Sequence, residues 1–127
     1  MKKLMMKTII ESIWNDRSLI DKNENQEFIK KTIKQLDEGD IRVAEKINHE
    51  WKINEWVKKA VIMYFQIQKM KTIEVGPFEF HDKIPLKNNY QKKSIRVVPH
   101  AIVRYGALFK EVFLLVLSFL LPIIKAH

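Results

Sequence analysis

Two stretches near the amino end carry apolar residues at helical spacing, one every three or four positions. Such a stripe is typical of an amphipathic helix that packs one face on a core. The first stripe, within residues 3–14, consists of Leu4, Met5, Ile9, Ile10, Ile13 and Trp14. The second predicts a helix over residues 25–37 and consists of Phe28, Ile29, Ile33 and Leu36. Gly39 follows where a glycine C-cap belongs.

The middle of the chain predicts a short strand and then a third helix. Residues 41–47 partly alternate and are flanked by breaking residues, which indicates an extended segment. Asn54 is expected to cap the next helix. The stripe of that helix, which we assign to the core, consists of Trp56, Val57, Ala60, Val61, Tyr64 and Phe65. Residues 69–93, with Gly76-Pro77 among their breakers, are expected to form a loop-rich connection.

Beyond residue 96 the apolar spacing changes to six. The pattern consists of Val97, Val103 and Phe109, with Ala101 and Ala107 four residues after the first two. In a left-handed parallel β-helix each six-residue unit forms one side of a triangular coil, and the small residue fits the corner. Two units are a weak signal by themselves, and they predict the beginning of such a β-helix at residues 94–109.

Composition limits the classes of protein to which the chain can belong. Of its 127 residues, 46% are hydrophobic and 30% are charged, which is ordinary for a globular domain. The absence of cysteine excludes disulfides and thiolate chemistry and fits a cytoplasmic location. The formal charge is +8, but the lysines interleave with acidic residues and accompany no nucleic-acid-binding motif. We therefore predict no nucleic-acid partner; a small basic helical binding module remains an alternative.

The polar residues form no catalytic or metal-binding motif. The four histidines lack metal-ligand spacing, so we predict no metal and place them on the surface or in loops: His49, His81, His100 and His127. The serines lie in no nucleophile elbow, and the three glycines are too far apart to cradle a phosphate. The sequence therefore assigns no catalytic residue.

Three parts of the chain resemble one enzyme family, in the same order. They are IRVAEKI at 41–47 with NEWVKKAV at 54–61, DKIPLK at 82–87, and RVVP at 96–99 with AIVRYGA at 101–107. These strings are similar to those of the tetrahydrodipicolinate N-succinyltransferases of bacterial lysine and diaminopimelate synthesis. The similarity extends over about residues 4–108 and includes uncommon strings.

The resemblance implies a fold, a reaction and one site residue. The fold is α+β, with a helical domain at residues 1–93 followed by a left-handed β-helix. The reaction transfers a succinyl group from succinyl-CoA to tetrahydrodipicolinate, in a cytoplasmic homotrimer with active sites between subunits. Arg96 is implied to bind the dicarboxylate substrate, since a guanidinium can meet a carboxylate with two parallel hydrogen bonds. Arg104 is expected to be structural, and no residue can be assigned to the CoA site.

Residues 110–127 depart from the family. The segment 112–124 is apolar except for Ser118 and Pro122. We expect a divergent tail, produced by a frameshift or other degradation of the coding sequence, and hence an incomplete, inactive chain that forms no native trimer. The alternative is a membrane tail anchor, although this run is shorter than the roughly 20 residues that a spanning helix needs.

Overall fold

The computed structural model describes residues 2–99, 101–108 and 114–115, without the side chains of residues 2, 114 and 115. Three α-helices lie in these ranges: α1 (Lys2–Asn15), α2 (Asn23–Glu38) and α3 (Glu55–Ile67). Short 3₁₀ helices follow α1 and precede the last part of the chain, at Arg17–Asp21 and Gln91–Lys93. The strands are β1 (Ala44–Ile47), β2 (Glu50–Ile53), β3 (Lys71–Val75), β4 (Phe78–Asp82), β5 (Arg96–Val97) and β6 (Leu114–Leu115). The described part is therefore a small α+β fold, as predicted.

The hydrophobic core lies where α1 and α2 pack on α3. Its buried residues include Met6, Ile10, Ile13, Ile29, Ile33, Trp56, Val57, Ala60 and Met63. All three predicted helices are confirmed, but two residues that were assigned to the core-facing stripe of α1 face solvent instead. Leu4 and Met5 are 69% and 62% exposed, because they lie outside the face that Met6, Ile10 and Ile13 present at i, i+4 and i+7. Phe65 of α3 is likewise exposed.

Helix α2 ends at Gly39, as predicted. Gly39 has a φ of 87°, and its backbone N–H donates to the carbonyl oxygens of Gln35 and Leu36, 3.0 and 3.2 Å away. The Leu108 side chain packs against this turn, so a Cβ added to Gly39 would lie 2.5 Å from Leu108 Cδ2. Glycine suits this position because of its left-handed backbone, and a side chain here would require the end of the Leu108 side chain to move.

We expect Gly39→Ala to lower the free energy of unfolding by about 1–2 kcal/mol, because alanine adds left-handed strain and requires the Leu108 side chain to shift. The matched control is Gly76→Ala, at a φ of 57° but with no atom within 4 Å of the added Cβ. Gly76→Ala should lose only the stability that the left-handed backbone strain costs, about 1 kcal/mol. Urea unfolding of both variants measures the difference. Equal losses would contradict a packing role for Leu108.

Strands β1 and β2 form an antiparallel hairpin with Ala44 opposite Ile53 and Ile47 opposite Glu50. Its two turn residues both have positive φ, as a type I′ turn requires. The predicted extended segment is confirmed in its second half, whereas β2 was not predicted. Asn54 occupies the predicted N-cap position of α3, but its side chain makes no cap hydrogen bond. Its amide donates instead to the Arg42 carbonyl oxygen at 2.8 Å and to Glu45 Oε1 at 3.0 Å.

The expectation of a loop-rich connection over residues 69–93 was wrong, because β3 and β4 form a second antiparallel hairpin there. Ile73 lies opposite Phe80 and Val75 opposite Phe78. The Gly76-Pro77 pair is the two-residue turn, and Gly76 has the positive φ that its first position needs. The segments on either side alternate with period two, which is a strand signal that the breakers obscured.

No α-helix in the described part of the chain is long and apolar enough to cross a lipid bilayer. The proposed tail anchor at 112–124 lies, apart from residues 114–115, outside the described residues. The same holds for Phe109 of the six-residue pattern.

Candidate functional site

The segment that follows β5 is tied to the helical domain by backbone hydrogen bonds. The Lys87 N–H donates to the Val103 carbonyl oxygen, and the Tyr105 N–H donates to the Pro85 carbonyl oxygen, each at 2.8 Å. These bonds flank an antiparallel bridge between Leu86 and Arg104. Residues 103–105 therefore have a defined position on the domain.

Arg96, the predicted dicarboxylate ligand, lies on β5 with its side chain exposed. The neighbouring Ile95 is only 7% exposed, and its N–H donates to the Tyr90 carbonyl oxygen at 3.0 Å. Because side chains alternate along an extended segment, the buried Ile95 directs Arg96 outward. Among the residues that the structure describes, no hydrogen bond or ion pair engages the Arg96 guanidinium, which leaves its donors available to a ligand.

Arg104 has the structural role expected of it. Its guanidinium forms an ion pair with Asp82 at the end of β4, with 2.8 Å between Nη2 and Oδ2. Both side chains are partly exposed, at 59% and 34%, so the contribution of this pair to stability is small. The two arginines of this segment thus differ, since only Arg104 has a carboxylate partner in the described part of the chain.

A buried ion pair joins the end of α2 to this segment. The Lys87 ammonium contacts the Asp37 carboxylate, and the two side chains are 2% and 10% exposed. The same Asp37 oxygen accepts a hydrogen bond from the Gly106 N–H at 2.8 Å, and Lys87 Nζ lies 3.4 Å from the Asp37 carbonyl oxygen. One carboxylate therefore holds both the lysine of the 82–87 segment and the backbone at residue 106.

Sequence reasoning assigned no role to Asp37 or Lys87. One signal was available: an acidic residue in the last turn of a helix opposes the helix dipole, so it needs a compensating partner. The identity of that partner, fifty residues along the chain, had no local signature.

Two tyrosines border this pair. Partial burial raises the pKa of Tyr90 and of Tyr105, and the nearby negative charge of Asp37 raises both further. Both phenols are therefore protonated at neutral pH and can act as hydrogen-bond donors.

An open groove of about 820 Å³ lies between α2, the carboxyl end of α3 and the segment around Pro85. We call it the α2–α3 groove. Its aromatic lining is Phe28, Tyr64 and Tyr105, and its ammonium groups come from Lys30, Lys31 and Lys34. Arg96 does not line it, so the predicted ligand residue and this cavity are separate features.

Several of the lysines that interleave with acidic residues in the sequence form ion pairs with glutamates in the structure. Lysines pair with glutamates in Lys3–Glu45, Lys30–Glu27, Lys58–Glu55 and Lys59–Glu11. His49 lies exposed in the β1–β2 turn, whereas His81 lies exposed on β4, where its Nδ1 is 2.8 Å from Thr72 Oγ1. Within the described ranges, no three His, Cys, Asp or Glu side chains are grouped so that they could hold a metal ion.

Comparison with known proteins identifies the family. Residues 5–67 match the family model described as tetrahydrodipicolinate N-succinyltransferase N-terminal. The match covers α2, α3 and the β1–β2 hairpin in full, together with most of α1. The chain belongs to the tetrahydrodipicolinate N-succinyltransferase family through this domain.

Curated tetrahydrodipicolinate N-succinyltransferase relatives extend the similarity beyond residue 67. The chain is 45% identical to a 2,3,4,5-tetrahydropyridine-2,6-dicarboxylate N-succinyltransferase of Coxiella burnetii (strain Dugway 5J108-111) over 111 residues, covering 80% of the chain and 41% of the relative. The same named protein of Ehrlichia ruminantium (strain Gardel) is 42% identical over 115 residues, covering 80% and 40%. That of Pseudoalteromonas translucida (strain TAC 125) is 37% identical over 112 residues, covering 80% and 41%. The chain thus spans about two fifths of the length of these family members.

Proposed function

We propose that this chain supplies the dicarboxylate-recognition part of an N-succinyltransferase that acts on tetrahydrodipicolinate in lysine and diaminopimelate synthesis. In that reaction water adds to the cyclic imine of tetrahydrodipicolinate and the ring opens, and the amino group released in this way attacks the thioester carbonyl carbon of succinyl-CoA. A C–N bond forms, the C–S bond breaks, the amine loses a proton to a base and CoA leaves as its thiol. The observation that carries the proposal is Arg96, whose guanidinium has no hydrogen-bond or ion-pair partner among the described residues and which lies on β5 beside the buried Ile95.

The proposed role of Arg96 follows from its geometry and its chemistry. A guanidinium donates two parallel hydrogen bonds to one carboxylate, and a substrate with two carboxylates needs at least one such partner to fix its orientation. Ile95 holds the backbone at the core edge, so little order has to be created when the substrate binds. No described residue is assigned to succinyl-CoA, which we expect to bind elsewhere in the assembled enzyme.

The pairing of β5 with β6 supports a β-helix that begins near residues 94–109. The strands are parallel, with Arg96 opposite Leu114 and Val97 opposite Leu115, so partners are eighteen residues apart. A triangular coil of three sides, each about six residues long, returns to its starting edge after about 18 residues. Val103, one of the apolar six-residue positions, is 8% exposed. In this proposal the helical domain comprises 1–93, the β-helix begins at 94–109, and 110–127, which includes β6, diverges from the family. The chain is cytoplasmic, and it lacks the rest of the β-helix through which the family's homotrimer would form.

The first test is binding of piperidine-2,6-dicarboxylate, a stable, saturated and non-aromatic mimic of the substrate, followed by NMR of the isotopically labelled chain. We expect saturable shifts around Arg96, and Arg96→Ala should weaken binding at least about tenfold because it removes a charge-assisted pair. Arg96→Lys should recover only part of the affinity, since an ammonium lacks the fork geometry.

Arg104→Ala is the matched control, because it removes an equal charge from the same segment but from an arginine already paired with Asp82. If Arg96→Ala and Arg104→Ala weakened binding of the dicarboxylate equally, the loss would reflect net charge alone, and the proposed role of Arg96 would be wrong. Thiol release from succinyl-CoA, measured with the same proteins, reports the chemical step. Turnover that Arg96→Ala abolishes would show that the chain completes the transfer unaided and would refute the expected inactivity.

A further inference from the structure

The α2–α3 groove combines aromatic surfaces with cationic and neutral hydrogen-bond donors. Its volume of about 820 Å³ falls in the range of small-molecule sites in proteins. Tyr64 is 7% exposed, while Phe28 and Tyr105 are half-buried, so rings form much of its inner surface. This lining offers flat apolar contact to a planar ligand.

Among the described residues, the charges around the groove leave one ammonium and one carboxylate without an ion-pair partner. Lys30 pairs with Glu27, with 2.7 Å between Nζ and Oε1, and Lys34 lies 3.8 Å from Glu38. Lys31 lines the groove and has no ion-pair partner within the described ranges of the chain. The lining also contains Glu24, which lies two helical turns before Lys31 and has no ion-pair partner in these ranges either. With Glu38 counted beside Lys34, the positive and negative charges around the groove balance, so Lys31 is a local and not a net positive charge.

The tyrosine hydroxyls supply neutral donors beside these ammonium groups. Burial raises the pKa of Tyr64, and burial followed by the charge of Asp37 and the proximity of Tyr64 raises that of Tyr105. In the part of the chain that the structure describes, neither hydroxyl has a hydrogen-bond partner. The side chains of Gln68 and Asn88 also line the groove and can donate or accept. An oxygen-rich anion would satisfy several of these groups at once.

We propose that the α2–α3 groove binds a small planar aromatic carboxylate, with its ring against Tyr64 and Tyr105 and its carboxylate at Lys31. This site is separate from Arg96, which does not line the groove, and the proposal does not rest on succinyl transfer. It gives the N-terminal domain a ligand of its own, distinct from the aliphatic dicarboxylate proposed for Arg96.

The test uses naphthalene-2-carboxylate as the probe and NMR of the full 127-residue chain. We expect saturable shifts at Tyr64, Tyr105 and Lys31 with a dissociation constant of about 1 mM, as ligand-efficiency limits suggest for a probe of this size. Lys31→Gln should weaken binding about threefold to tenfold. Lys46→Gln, which removes an exposed lysine of β1, should leave it unchanged. The uncharged analogue naphthalene-2-methanol should bind at least about fivefold more weakly.

Three results would overturn the proposal. Shifts that do not saturate, or that centre on residues around Arg96, would show that the groove is not the site. Equal weakening by Lys31→Gln and Lys46→Gln would show a response to net charge alone. Equal affinity for naphthalene-2-methanol would show that the carboxylate is not recognised.

Discussion

Replacing Asp37 with alanine is expected to lower the free energy of unfolding by about 3–5 kcal/mol. The Lys87 side chain is only 2% exposed, so loss of its carboxylate partner leaves an ammonium buried without a counter-charge. The Gly106 N–H loses its acceptor in the same substitution. Because small domains are stable by only about 5–15 kcal/mol, a loss of this size brings the chain close to unfolding at ambient temperature.

The charge can be separated from the other effects of Asp37→Ala with a double variant. Adding Lys87→Met removes the unpaired ammonium, keeps most of the side-chain volume and leaves the Gly106 N–H as it is in the single variant. We expect the double variant to be more stable than Asp37→Ala by about 2 kcal/mol or more, since buried ion pairs can be exchanged for apolar residues at little cost. Denaturant unfolding of both proteins measures this. If they were equally stable, the ammonium of Lys87 would have to reach water when Asp37 is absent.

Replacing Ile10 with alanine is expected to cost about 2–5 kcal/mol of stability. Ile10 has no exposed surface and lies in the core formed by α1, α2 and α3. The substitution removes three carbon atoms and leaves a cavity that close-packed neighbours fill only in part. Alanine has a higher helix propensity than isoleucine, but this offsets the loss of stability by only a few tenths of a kcal/mol.

Leu4→Ala is the matched control on the same helix, because Leu4 is 69% exposed. We expect its stability to change by no more than about 0.5 kcal/mol. Thermal unfolding monitored by circular dichroism gives both values under one condition. A loss for Leu4→Ala comparable with that for Ile10→Ala would indicate that the amino end of α1 is buried by a contact outside the described residues.

The helices were predictable because their signal is local. A period near 3.6 identifies residues that share a face, and Gly39 has a conformational reason to end α2. The β3–β4 hairpin was missed although its signal is also local: Gly76-Pro77 was taken as evidence for a loop, whereas a two-residue turn between alternating segments indicates paired strands.

Only the part of the candidate site that a recognisable sequence string marks could be predicted. Arg96 was identified because its string resembles a family motif, and its role as a ligand stays a prediction. The buried pair and the groove had no such string. Both depend on residues from α2 meeting residues near Pro85 and Tyr105, and those residues are far apart in the chain.

The sequence alone determined the three helices, the cap at Gly39, the family resemblance and the candidate at Arg96. These follow from short-range periodicity, backbone conformational preference and recognisable strings. Only the tertiary structure decided that Leu4 and Met5 face outward, that Asp37 meets Lys87, and that three aromatic rings and three lysines line one groove. The physical reason is that periodicity specifies which residues share a face, whereas burial, charge pairing and cavity shape depend on what that face meets across the fold.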